Sequence, residues 1–243
     1  MTLRIVARNV HGGSHPGVID VLRDSAADLV VLSDCHPTHY LPIANALRAE
    51  GFSWLAGTNG SGYTGLLIAS RQAIRPGHTQ SSTLPAHWLH VVLPEAGMSV
   101  VGVYGPLYRA GVSRLVPRFW EGLLEAAEAL ATSSTLIVGD LNTAPAAGDS
   151  STRRLLQAAR YLQKLQEGGW RDAYREVHGA AEAYSYWNYQ GSFRIDHAML
   201  SPQAPPVIRV EYVTEAAGLQ LRAWPKQPGV STPSDHALLR IEL

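Results

Sequence analysis

Cysteine is almost missing from this chain. Of 243 residues only Cys35 is one, which excludes an intramolecular disulfide and constrains the redox compartment weakly. Surplus charge is missing as well: basic and acidic residues balance to a formal net charge of +0. The chain therefore lacks the global positive field of many nucleic-acid binders, and any polyanion must be held locally. No apolar run is long enough to cross a bilayer, and Met1 to Val10 carries Arg4 and Arg8 where a secretory leader needs an apolar core. Internal repeats, low-complexity tracts and long linkers are absent too. These absences lead to the expectation of a soluble, cytoplasmic monomer with no membrane partner.

What is present is a large apolar fraction, 46% hydrophobic against 16% charged, enough for one continuous core, so residues 1–243 are expected to form a single domain. Leu3 to Val10 alternates like a strand, with Ile5, Ala7 and Asn9 on one face and Val6, Arg8 and Val10 on the other. Further strands are expected at Leu29 to Ser33, Gly65 to Ser70, Trp88 to Leu93, Ser99 to Tyr104 and Thr135 to Gly139. The later ones are Tyr184 to Tyr189, Ile195 to Leu200, Val207 to Val213 and Ala237 to Leu243. Helical spacing marks Pro16 to Ala27, Tyr40 to Ala49 with Gly51 as its stop, Ser113 to Ala131 and Thr152 to Glu167. About a dozen strands with interspersed helices and no regular βαβ repeat predict an α/β (α+β) architecture of two packed mixed sheets flanked by helices.

Six polar signatures, most of them at the ends of apolar runs, stand in order along the chain: Asn9, Asp34, Tyr104, Asp140-Leu141-Asn142, Arg194-Ile195-Asp196 and Ser234-Asp235-His236. Carboxylates and carboxamides at strand ends can converge on one crevice, where hard oxygens hold a divalent cation and a histidine handles protons. Each signature alone has a plain structural reading. Asp140-Leu141-Asn142 reads as a turn and helix cap, Asp34 as an N-cap, Tyr104 as a packed aromatic, Asp196 as a partner of Arg194, and Ser234-Asp235-His236 as a polar loop before a closing strand.

Together, in this order, the signatures resemble those of the endonuclease/exonuclease/phosphatase superfamily, which includes deoxyribonuclease I, exonuclease III and the apurinic endonucleases. The resemblance runs from Ile5 to the C-terminus. It implies a four-layer sandwich and a nuclease dependent on Mg2+, with Mn2+ as an alternative, acting on DNA. It also implies roles. Asn9, Asp34 and Asp235 would help hold the metal, and Asp140 would position or deprotonate the attacking water. Asn142 and Tyr104 would contact the phosphate, while His236, oriented by Asp196, would bond to the phosphate or take part in proton transfer.

Two departures stand out. Asp34 occupies a position where the family usually has glutamate, one methylene longer, and His11 stands where the nuclease relatives often have Asn or Asp. A zinc site from His11, Cys35 and His36 is disfavoured, because adjacent residues at a strand end point apart. The segment Tyr184 to Phe193 is the most aromatic in the chain. At least half of its rings are expected to be packing, and Trp187 and Phe193, near Arg194, are the candidates to stack on a base or fill an abasic gap. Relatives carry extra residues between this run and the Arg-Ile-Asp motif, which weakens an expectation of abasic-site preference. Among the arginines following Tyr104 and Asn142, only Arg109 is expected to reach a phosphate backbone. Two other readings stay open: the same chemistry on a small phosphoester, which zero net charge favours slightly, and a binding protein with a weakened site, against which Asp140 and His236 both stand.

Overall fold

The computed structural model describes residues 2–58, 65–79, 84–107, 114–145, 147–152, 158–221 and 231–243. In chain order the elements are β1 (Arg4–Gly12), α1 (Gly17–Asp24), β2 (Leu29–Cys35), α2 (Pro37–Ala49), β3 (Trp54–Gly57), β4 (Gly65–Ser70), β5 (Arg75–Pro76), β6 (Trp88–Leu93), β7 (Met98–Tyr104) and α3 (Leu115–Leu130). There follow β8 (Thr135–Asp140), α4 (Ala159–Glu167), β9 (Arg171–Asp172), α5 (Ala173–His178), β10 (Tyr186–Asn188), β11 (Gly191–Phe193), β12 (Asp196–Leu200), β13 (Arg209–Val213), β14 (Glu215–Ala216), β15 (Leu219–Gln220) and β16 (Leu238–Glu242).

Two six-stranded sheets result, ordered β13-β16-β1-β2-β4-β3 and β5-β6-β7-β8-β12-β9. Each is mixed, with one parallel pair at its centre, β1 with β2 and β7 with β8, and antiparallel strands on either side. Alternation along the strands supplies three apolar layers. Ile5, Ala7, Leu29, Val31 and Ile68 of the first sheet meet Val91, Val100, Leu136, Val138 and Ala198 of the second. The opposite face of the first sheet, through Val6, Val10, Val30 and Leu32, packs on Val18, Val21 and Leu22 of α1 and Ile43 and Leu47 of α2. The outer face of the second, through Val101, Val103 and Ile137, packs on Phe119, Trp120 and Leu123 of α3 and Leu162 and Leu165 of α4. With each fully buried aliphatic or aromatic side chain stabilising by about 1.5–3 kcal/mol, these layers make the expected four-layer sandwich the stable arrangement of this pattern.

Differences from the expected elements are local. The second helix begins at Pro37, earlier than Tyr40, because His36 caps it through its ring nitrogen and Pro37 suits the first turn. Asp34 is thus not the N-cap. Gly51 does end that helix, at φ +88°, with its amide on the Arg48 carbonyl. The aromatic run is a hairpin of two three-residue strands. The helix expected from Thr152 starts at Ala159 in the described residues, and Arg153 and Arg154 lie outside them. Among the described residues no helix is long and apolar enough to cross a membrane.

The sandwich places its parallel pairs so that both end at one rim. β1 bulges between Asn9 and Gly12, and β2 between Leu32 and Cys35. His11, Asp34 and Asn142, none of them glycine, hold positive φ of 46°, 57° and 50° at these strand ends. Left-handed backbone at non-glycine residues carries strain that accumulates at working sites.

Candidate active site

Asp140 is the last residue of β8 and lies opposite Asp196, the first of β12, in the antiparallel register; on its other side it pairs with Tyr104 of β7. Gly139 precedes it at φ +139°, where an added Cβ would run into the Val103 carbonyl oxygen, so the Gly-Asp sequence is what lets the strands close here. Asn9 reaches across from the other sheet: its Nδ2 donates to Asp140 Oδ2 at 3.0 Å and its Oδ1 accepts the His11 amide at 2.9 Å. Asn142 folds back in an Asx turn, its amide donating to Asp140 Oδ1 at 2.9 Å, while its Nδ2 donates to the Gly105 carbonyl at 2.7 Å. The turn reading of this motif therefore holds, and the same turn lies beside the Asn9 contact to Asp140.

His236 lies beside this pair, buried, with Nδ1 2.8 Å from Asp196 Oδ2. The turn before β16 holds it, through the His236 amide on Ser234 Oγ at 3.1 Å, and the Tyr186 ring lies 4.9 Å from its own. Asp196 is anchored through its backbone: its amide and that of Ile195 both donate to Ser185 Oγ at 3.0 Å, and its carbonyl accepts from Tyr212 Oη at 2.6 Å. Among the described residues its buried Oδ1 has no hydrogen-bond partner. One ligand atom from each of Asp140, Asp196 and His236 falls within 4.8 Å of the others, a grouping able to hold a metal ion.

The electrostatics follow from burial and crowding. Burial, then the Asp196 charge, pushes the Asp140 carboxyl up to about 7, against the opposing pull of His236 and Asn9. Burial works against a charged His236, yet Asp196 and its hydrogen bond override it and raise the imidazole to about 9. An acid held near neutral beside a base held above it, in a shared pocket, is an arrangement suited to moving protons.

The remaining expected residues sit around this centre. Asp235 Oδ1 is 3.3 Å from His11 Nδ1 and 3.9 Å from His236 Nε2, with its side chain partly exposed. Asp34 is half-buried at the bulge of β2, and its side chain makes no hydrogen bond with a described residue. Neither belongs to the compact grouping of Asp140, Asp196 and His236. Tyr104 is half-buried, its ring stacked 6.1 Å from that of His87, whose Nδ1 is 2.5 Å from the Tyr104 carbonyl oxygen. Arg109 lies outside the described residues. Trp187 and Phe193 require a correction. They are only 9% and 8% exposed, so the stacking expected of them has no open ring face. No zinc arrangement forms among the described residues either: His11 turns to Asp235, His36 to Thr38, and burial pushes the Cys35 thiol up to about 12.

Several supporting residues escaped the sequence. Arg194 does not pair with Asp196. It is fully buried and bonded to both oxygens of Asp149, at 2.6 and 3.2 Å, and both of Asp172, at 3.0 and 2.7 Å. Arg175 adds to Asp149, and Asp172 caps α5 through the amides of Tyr174 and Arg175. His197 joins this cluster to the Asn142 turn through Nε2, 2.8 Å from the Thr143 carbonyl oxygen. Arg8, buried on the strand that carries Asn9, places Nη2 3.5 Å from the His236 carbonyl, and burial pulls its guanidinium down to about 10. An arginine in an otherwise apolar strand face was the one visible signal for it.

Comparison with known proteins agrees with the geometry. The model of the Endonuclease/Exonuclease/phosphatase family matches residues 9–236. The chain is similar to an AP endonuclease from Archaeoglobus fulgidus (TM-score 0.80, 19% identity, 98% of each chain covered). It is also similar to the Neisseria 3′ phosphatase NExo, solved with a product DNA hairpin (TM-score 0.78, 22% identity, 98% of each chain covered). At such identities these structures establish the fold. No curated protein sequence matches the chain.

Proposed function

We propose that this chain, which belongs to the endonuclease/exonuclease/phosphatase family, is a divalent-metal-dependent phosphodiesterase that cleaves DNA with low sequence specificity. The observation that carries this reading is the buried meeting of Asp140 with the Asp196–His236 pair, tied to the first sheet through Asn9.

Phosphodiester hydrolysis needs a water deprotonated, phosphate charge compensated and a leaving alkoxide protonated or stabilised. Asp140, ionising at about 7, is suited to accept the proton of the attacking water. His236, kept charged by Asp196, is suited to bond a phosphate oxygen or protonate the leaving group, and the Nδ1 contact to Asp196 fixes the ring so that Nε2 does this. Asn142 and Tyr104 border Asp140, and we assign them to contact with the phosphate. The donors present fit a hard divalent cation: the Asn9 amide oxygen, the half-buried Asp34 and partly exposed Asp235 carboxylates, and the unpartnered buried Oδ1 of Asp196. When bound, Mg2+ or Mn2+ supplies positive charge against the phosphate and favours ionisation of water, and Asn9, Asp34 and Asp235 are the residues we assign to holding it.

DNA as the substrate is supported by the fold shared with an AP endonuclease and with a 3′ phosphatase solved on a DNA hairpin. Arg109 remains our candidate for a backbone contact. A small phosphoester is the second reading, favoured by the net charge of +0. We place the protein in the cytoplasm as a monomer. The test is one panel with Mg2+, with Mn2+ and with chelator: plain duplex, abasic duplex, single strand, RNA and a chromogenic phosphodiester. Metal-dependent cleavage of DNA is expected. Full turnover in chelator overturns the metal reading, and turnover of the small ester alone replaces DNA by the second substrate class.

A further inference from the structure

We propose that Tyr189 is the base-stacking residue of this site, the ring against which one nucleobase of the bound strand packs while a phosphate of that strand lies at His236; this rests on the DNA-cleaving reading above. Among the exposed large hydrophobic side chains described, Tyr189 is the most open at 78%. Its place in the hairpin explains the contrast with its buried neighbours. Tyr186 pairs with Phe193, Trp187 with Ser192 and Asn188 with Gly191, which leaves Tyr189 and Gln190 as the two-residue tip.

The hairpin is anchored at its base on both edges. On one, Tyr186 bridges to His236 itself and the Ala237 amide donates to the Ser185 carbonyl at 2.7 Å. On the other, Ser150 bridges to Phe193, and Ser151 exchanges hydrogen bonds with Ser192 at 2.9 and 2.8 Å. Trp187 and Phe193, on opposite faces of the hairpin by its register, are both buried. At the tip the Gln190 amide donates to Asn188 Oδ1 at 2.8 Å, and Gln190 Nε2 donates to Tyr189 Oη at 3.2 Å, which orients the ring. A rigid arm that begins at the phosphate-handling histidine therefore ends in an open aromatic face. The arm spans three residues from Tyr186, roughly 10 Å at the rise of a strand, which matches about three base steps along a nucleic-acid strand.

Stacking also suits the charge of this protein. A chain with net charge +0 cannot draw DNA by a broad positive field, whereas base–aromatic stacking is independent of charge and tolerant of sequence. The ring would favour strands whose bases can turn out of a duplex: single strands and frayed ends.

The test compares wild type with Tyr189→Ala, Tyr189→Phe and Tyr189→Trp on single-stranded oligonucleotides and on bis(p-nitrophenyl) phosphate, with one base at a time removed from the oligonucleotide. Tyr189→Ala should raise KM for the oligonucleotide about tenfold to a hundredfold, the range set by loss of one stacked base. Turnover of the small ester should stay unchanged, and Phe and Trp should restore the oligonucleotide KM. Removing the base at a single position, within about three steps of the cleaved bond, should abolish the difference between wild type and Tyr189→Ala. Wild type and Tyr189→Ala cleaving oligonucleotides with equal KM overturns the stacking role alone. An equal loss on the small ester also overturns it, because the ring would then support the site rather than the strand. Wild type that hydrolyses the small ester but no oligonucleotide overturns the DNA reading, and this proposal with it.

Discussion

Two buried acid clusters lie side by side on the second sheet, and they are built to opposite ends. Around Arg194, each carboxylate meets guanidinium nitrogens, and Asp149 and Asp172 are held below the ordinary carboxylate range even though burial alone would raise them. Around His236, two carboxyls face one imidazole; Asp140 is pushed up to about 7 and Asp196 keeps a buried oxygen unpartnered. Residue type and burial are the same. What differs is the number of fixed cations and donors within reach, and that separates a cluster that has spent its acids on structure from one whose acids stay reactive.

The sharpest way to break this contrast is to neutralise one acid without changing its shape. Asp140→Asn should lower kcat by about a thousandfold or more, near 4 kcal/mol of transition-state stabilisation. Stability should move the other way. Because the folded carboxyl ionises at about 7, well above its ordinary value, ionisation costs stability as pH rises, and the cost is complete above about 7. Thermal unfolding at pH 8 should therefore show the variant equal to or more stable than wild type. A large fall in Tm would instead make Asp140 a structural acid like Asp172.

Arg194→Met should do the converse. Leaving Asp149 and Asp172 buried without their cation costs about 3–5 kcal/mol, equivalent to a Tm lower by about 10 °C in a chain of this size. Both acids have depressed folded values, so the stability they give is present above the ordinary carboxylate value and is lost as pH falls below it toward the lowered folded values. The variant should lose that acid-side dependence in calorimetry between about pH 5 and pH 2. Unchanged stability at neutral pH would show that the cluster contributes nothing net.

The contrast also explains what could be read from sequence. Asn9, Asp140 and Asp196, which the structure brings together, stood out because each lies near a strand end, where a polar residue borders an apolar run. The sandwich was legible from the same alternation. The Arg194 cluster was not, because Asp149, Asp172 and Arg175 come from separate segments and become partners only when β9, α5 and the loop after β8 converge on β12. Sequence proximity pointed Arg194 at Asp196, two residues away, yet its guanidinium turns to the other two acids. Trp187 and Phe193 misled for a related reason: both rings are buried along the strands of the hairpin, while the tip tyrosine is left open.

A smaller effect tests coupling within the reactive cluster. The activity of wild type should rise as Asp140 ionises, about pH 7, and fall as His236 deprotonates, about pH 9, as apparent values of the coupled set. In Asp196→Asn the charge that raises both groups is gone, so both limbs should move to lower pH, with His236 approaching its ordinary value. Asp196→Asn combined with His236→Ala should be barely slower than His236→Ala alone. Additive losses would separate the two residues into independent roles.

The smallest expected effect concerns Asp34, which belongs to neither cluster. Half-buried, with a side chain that bonds to no described residue, it sits on left-handed backbone at φ 57°, a strain without an evident packing return. If it holds the metal, Asp34→Ala should weaken Mn2+ binding, followed by electron paramagnetic resonance of the free ion, by about tenfold. Asp34→Glu, one methylene longer, should match or exceed wild type, because reach rather than charge is what the aspartate lacks. Equal Mn2+ affinity in all three proteins would remove Asp34 from the metal site and leave the ion to Asn9, Asp235 and the unpartnered oxygen of Asp196. The reactive cluster would then be its own metal site, and the line between acids that move protons and acids that bind cations would disappear.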